Sequence, residues 1–67
     1  MNSIPFGTEA DVFWSGGRRT FSDLTRAIRF VMEEVNADTR ADAWIMTKDR
    51  SLTFELIEEA YGRLSLL

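Results

Sequence analysis

The sequence predicts a two-layer α+β domain in which a short sheet of two or three strands carries two helices on one face. Two segments, 21–35 and 54–63, repeat apolar residues at intervals of three and four positions, as an amphipathic helix does. Two other segments, 11–15 and 42–47, each contain an unbroken apolar triplet bounded by polar residues, which is typical of short strands. The predicted element order is ββαβα, or βαβα if the paired glycines after the first strand form only a loop.

The first strand is predicted at 11–15, with the sequence DVFWS. The two glycines that follow it permit the positive φ of a tight hairpin turn. Residues 18–21 then run back beside the first strand as a second, antiparallel strand. A parallel βαβ unit with a right-handed crossover through the first helix is the competing arrangement.

The first helix is predicted at 21–35, where one apolar stripe holds Leu24, Ile28, Val31 and Val35. Either Ser22 or Thr20 caps its start, and Asp23 lies in the first turn, where a carboxylate interacts favourably with the helix dipole. Phe30 projects away from the stripe, between charged residues. It either folds over the edge of the core or contacts another chain, and the sequence leaves both interpretations open.

The second half of the chain follows a similar plan. A polar connection at 36–41 leads to the strand at 42–47, and a turn at 48–52 leads to a helix at 54–63, which Thr53 caps and Gly62 ends or loosens. The strands of the two halves align best at a spacing of 31 residues, whereas the helices align at 33. Because the two spacings differ, the sequence does not decide whether the chain contains an internal duplication.

The length and composition exclude several classes of function. A chain of 67 residues forms one domain, predicted at 11–67 behind a loosely ordered lead-in at 1–10. It contains neither cysteine nor histidine, which removes the usual zinc ligands and the usual general base near neutral pH. A chain this short is also too small to enclose a substrate pocket alone. We therefore expect no catalytic residue, no metal site and no cofactor, and the protein is predicted not to be an enzyme.

The two apolar triplets predict an interaction surface. Side chains alternate between the faces of a strand, so each triplet must direct apolar groups toward both faces of the sheet. The helices cover one face, and little chain is left to cover the other. The residues that we expect in the surface are Phe13, Trp14, Phe30, Trp44 and Met46. The predicted function is therefore a non-catalytic protein-interaction or self-associating domain, with a second copy or another protein as its partner.

Weak anion or nucleic-acid binding is the alternative function. Glycines let backbone N–H groups approach an anion, the start of a helix attracts one, and arginines add full positive charge. The residues that combine these features are Gly16, Gly17, Arg18, Arg19, Arg26 and Arg29. The net charge of −3 opposes strong binding of nucleic acid, which places this function second.

The pattern RTFSDLTRAIRFVMEEV…AWIMTKDRSLTFELIEEAY, within residues 12–62, resembles small uncharacterised proteins of alphaproteobacteria. The resemblance implies a bacterial, cytoplasmic protein and assigns no functional residue, because that group has no assigned activity. The sequence itself also favours the cytoplasm and no association with a membrane. It shows no signal peptide and no apolar segment of the roughly 20 residues that a membrane span requires.

Overall fold

One layer of the molecule is a four-stranded antiparallel sheet, and the other is formed by helices. The computed structural model describes residues 7–65, apart from the side chain of Ser65. In chain order the elements are β1 (Ala10–Trp14), β2 (Gly17–Phe21), α1 (Leu24–Arg29), a π-helical turn (Phe30–Glu34), α2 (Ala37–Arg40), β3 (Trp44–Thr47), β4 (Ser51–Leu52) and α3 (Phe54–Ser65). The strand order is β2-β1-β3-β4. The α+β prediction is therefore confirmed, and most of the predicted lead-in, together with residues 66–67, lies outside the described residues.

The sheet has one strand more than the two or three predicted, and every pairing in it is antiparallel. The hairpin at the two glycines is confirmed, and the parallel βαβ alternative is wrong. Segment 48–52 was predicted as a turn, but β4 occupies its end. The backbone N–H of Thr47 donates to the carbonyl oxygen of Arg50 at 2.7 Å, and the Thr47 hydroxyl donates to that same oxygen at 3.0 Å. These bonds close a two-residue turn and leave enough chain for a fourth strand.

Helix α1 begins later than the periodicity predicts. The carboxylate of Asp23 accepts a hydrogen bond from the backbone N–H of Arg26 at 2.8 Å, so Asp23 is the N-cap and the prediction of Ser22 or Thr20 is wrong. Phe21, the first residue of the predicted helix, instead pairs with Ala10 as part of β2. Phe21 therefore belongs to a strand, although it also fits the helical pattern.

Two further predictions about the helices need correction. The last part of the predicted first helix is a π-helical turn, in which the backbone N–H of Val35 donates to the carbonyl oxygen of Phe30 at 3.0 Å. Gly62 does not end the second long helix, because α3 continues to Ser65. The connection at 36–41 contains the short helix α2, and the side chain of Asn36 caps it by accepting from the backbone N–H of Asp38.

The core lies between the sheet and the helices. Its largest fully buried side chains are those of Val12, Leu24, Ile28, Val31, Ile45 and Ile57. They come from β1, α1, the π-helical turn, β3 and α3, so each half of the chain contributes one central strand and one long helix. Helices α1 and α3 cover the same face of the sheet, and among the described residues no helix covers the opposite face.

The register of the sheet relates the two halves by a single spacing. Adding 33 positions converts the pair Val12–Arg19 of the first hairpin into the pair Ile45–Leu52 of the second. The same spacing aligns the helices, so the strand spacing of 31 predicted from the sequence is wrong. The fold consists of two ββα units, and their central strands pair antiparallel so that Val12 and Ile45 lie opposite each other.

Candidate interaction surfaces

The register identifies the residues on the uncovered side of the sheet. Residues opposite each other on neighbouring strands point to the same face. Val12 and Ile45 are fully buried under the helices, so the residues next to them on each strand point to the other side. We call this side the open face; its residues are Asp11, Phe13, Arg18, Thr20, Trp44, Met46 and Ser51.

The open face has an aromatic centre. The rings of Phe13 and Trp44 stack with centroids 4.5 Å apart and planes 13° from parallel. The guanidinium carbon of Arg18 lies 5.8 Å from the centroid of Phe13. Trp44 remains 37% exposed, and Met46, which lies two residues further along β3 on the same face, is 43% exposed. Three large apolar side chains thus lie on the open face, together with the guanidinium group of Arg18. Glu9, Asp11 and Lys48 lie near Met46.

The other two residues of the predicted interaction surface lie elsewhere. Trp14 points to the helix side, where its ring meets the ring of Phe30 edge-on at 5.0 Å. Phe30 also lies 5.1 Å from Phe21, and all three rings are partly buried against the core. The predicted surface is therefore divided between the open face and an aromatic cluster at the edge of the core. Of the two interpretations that the sequence leaves open, the position of Phe30 agrees with the one in which it folds over the edge of the core.

The predicted anion-binding residues are also divided. Arg18 lies on the open face, whereas Arg19 lies on the helix side of the same strand. Gly16 packs against the indole of Trp14, where a Cβ atom would collide with the ring, and Gly17 has a φ of +142° as β2 begins. Both glycines thus serve the hairpin turn, and the two arginines beside them point in opposite directions.

Three of the predicted arginines do converge, along a groove beside β2 and α1. We call it the arginine groove; it is lined by Arg19, Phe21, Arg26, Arg29, Phe30, Glu33 and Glu34. The guanidinium carbon of Arg19 lies 5.2 Å from the ring centroid of Phe21 and 5.4 Å from that of Phe30. Arg26 is paired with the carboxylate of Asp23 at 3.3 Å. Among the described residues, neither Arg19 nor Arg29 forms an ion pair.

Glu33 links the groove to α3, and no sequence pattern singles this residue out. Its carboxylate accepts a hydrogen bond from the hydroxyl of Tyr61 at 2.8 Å. This bond, with smaller contributions from desolvation and from the negative charge of Glu33, raises the pKa of Tyr61 above its ordinary value of 10.0. The two residues lie 28 positions apart, so no local pattern could have indicated the contact.

No helix among residues 7–65 combines the length and the apolar character that spanning a membrane requires. The cytoplasmic location stays a prediction, as does the resemblance to small alphaproteobacterial proteins. Comparisons with models of protein families, with curated proteins and with solved structures found no match for this chain.

Proposed function

We propose that this protein is a non-catalytic domain that associates with a second copy of itself through the open face. The observation that carries the proposal is the stacked pair of Phe13 and Trp44 beside the exposed side chain of Met46, on the side of the sheet away from the helices. Large aromatic and methionine side chains are enriched in protein interfaces. Covering them on association removes apolar area from water, which stabilises the complex.

The charge on the open face favours a second copy over a strongly charged partner. The strands of the face carry one carboxylate, on Asp11, and one guanidinium group, on Arg18. Glu9 and Lys48 lie beside Met46 and add one charge of each sign, so the face has no net charge. A two-fold arrangement brings identical surfaces together, and a neutral face does not repel itself. A strongly acidic or basic partner would leave at least one of these charges next to a like charge, which is unfavourable.

The size of the open face determines how strong an association we expect. Three large apolar side chains form less surface than the roughly 800 Å² per partner of a standard stable interface. The dimer should therefore be weak, with a dissociation constant in the range of about 10–100 μM. Association would also stabilise the fold, because a domain of this length buries only about 60% of the surface of its unfolded chain by itself.

Sedimentation equilibrium on the wild-type protein and two lysine variants tests the proposal. Met46→Lys places a charge beside the stacked pair on the open face and should give a monomer. Leu56→Lys is the matched control, because Leu56 is exposed to a similar degree, 46% against 43%, but lies on α3. It should dimerise as the wild type does. A wild-type protein that stays monomeric at about 1 mM, or a control that loses association equally, would contradict the proposal.

A further inference from the structure

Strand β2 is the longer of the two edge strands. It has five residues against two in β4, and among the described residues it pairs only with β1. Four of its five residues, Gly17–Thr20, are exposed. The outer side of an edge strand presents backbone N–H and C=O groups that can pair with another extended chain. Such pairing is a common way of binding peptides, in which side-chain pockets beside the strand supply specificity.

The arginine groove supplies such a pocket directly beside β2. The rings of Phe21 and Phe30 give it an apolar part, and the guanidinium group of Arg19 lies over both rings. Neither Arg19 nor Arg29 forms an ion pair with a described residue. A strand added to β2 would send alternate side chains to the groove side, where the two rings lie, and to the open side, where Arg18 lies. An apolar residue fits the first position and an acidic residue fits the second.

The wall of this groove includes the π-helical turn Phe30–Glu34. A π-helical turn is an uncommon feature that occurs frequently at functional sites. Here it holds Phe30 against Phe21 and directs Glu33 to the hydroxyl of Tyr61. The turn therefore fixes one side of the groove against both β2 and α3.

We infer that β2 and the arginine groove bind an extended peptide that alternates acidic and apolar residues, by adding it as a fifth strand to the sheet. The charges that surround β2 favour this peptide over other occupants. Arg18 and Arg19 would repel β2 of a second copy, because two such strands side by side would place like charges together. Glu33 and Glu34 line the groove and oppose a nucleic acid, because its phosphates would lie on the groove side as well, whereas the peptide directs only apolar side chains there.

A titration followed by amide chemical shifts tests this inference. The probe is a capped peptide of about seven residues that alternates glutamate and valine, long enough to span β2. We expect shifts in Gly17–Phe21 and in Phe30, with binding that weakens as salt is added. A peptide of the same length with lysine in place of glutamate should bind at least about fivefold more weakly, because its charged side chains lie on the side of Arg18.

Two controls separate strand addition from simple attraction of charges. A glutamate–valine peptide with N-methyl groups on one edge keeps its charge but cannot complete the backbone pairing, so it should bind several-fold more weakly. Arg18→Ala should weaken binding, because Arg18 faces the acidic side chains, whereas Arg63→Ala should not, because Arg63 lies on α3 and is paired with Glu59. Three results would each overturn the inference. The methylated or the lysine peptide binds as tightly as the glutamate–valine peptide, single-stranded DNA shifts the same amides and binds more tightly, or β2 shows no shifts at about 1 mM peptide.

Discussion

Val12 and Ile45 lie opposite each other on the two central strands, and both side chains are fully buried. They occupy equivalent positions in the two ββα units, so an approximate two-fold axis passes between them. Both side chains belong to the single core between the sheet and the helices, and together they hold the two halves of the chain in that core. Substitutions at this pair should therefore affect the stability of the whole domain rather than of one unit.

Shortening Ile45 should lower the free energy of unfolding in proportion to the volume removed. Ile45→Val should cost about 1 kcal/mol and Ile45→Ala about 2–5 kcal/mol. A domain of this length has a total stability of about 3–10 kcal/mol, so the alanine variant approaches global unfolding. Urea denaturation followed by tryptophan fluorescence measures both changes. Leu56→Ala, at an exposed position on α3, should change the stability by less than about 0.5 kcal/mol, and an equal loss there would contradict the packing described.

The sequence was sufficient for the fold class because helix and strand periodicities are local. It was not sufficient for the register between the two halves. A shift of two residues along a strand leaves every side chain on the same face, so spacings of 31 and 33 fit the alternation equally well. The similarity of Asp11-Val12 to Asp42-Ala43 favoured 31. The pairing of Ile45 with Leu52, which depends on where the second turn closes, gives 33.

The candidate surfaces were predictable to a similar extent. Alternation along β1 showed that either Phe13 or its two neighbours point away from the helices, but it could not choose between them. That choice depends on which face the helices cover, which is a tertiary property. The same limit applies to Arg18 and Arg19, since adjacent residues of a strand must point to opposite faces. The predicted strand at 18–21 therefore already implies that the two arginines lie on opposite sides of the sheet.

Removal of the N-cap of α1 should destabilise the domain. Asp23→Ala loses the hydrogen bond to the backbone N–H of Arg26 and the ion pair with its side chain, and should cost about 1 kcal/mol. The ion pair contributes little of this, because the side chain of Arg26 is largely exposed. Ser22→Ala is the control, since the sequence favours Ser22 as a cap but the structure does not use it. Thermal denaturation that finds Ser22→Ala the more harmful change would contradict the assignment.

The hydrogen bond between Tyr61 and Glu33 should appear in the alkaline titration. The pKa of Tyr61 is raised in the folded state, so its contribution to stability is complete below pH 10.0 and is lost as the pH rises through the folded-state pKa. Tyr61 is the only tyrosine, so its ultraviolet absorbance reports this group alone. Glu33→Gln should move the pKa back toward its ordinary value, because the amide carries no charge and accepts a weaker bond. An unchanged titration in that variant would show that Glu33 does not cause the shift.

Two glycine-to-alanine substitutions should change the stability in opposite directions. Gly17 has a φ of +142°, a conformation that a residue with a Cβ atom rarely adopts, so Gly17→Ala should cost more than about 1 kcal/mol. Gly62 lies within α3, and an added Cβ atom would meet no other atom within 4 Å. Gly62→Ala should therefore stabilise the domain by about 0.5–1 kcal/mol through its higher helix propensity. Urea denaturation of both variants measures the two changes, and destabilisation by Gly62→Ala would show that the helix does not continue through this position.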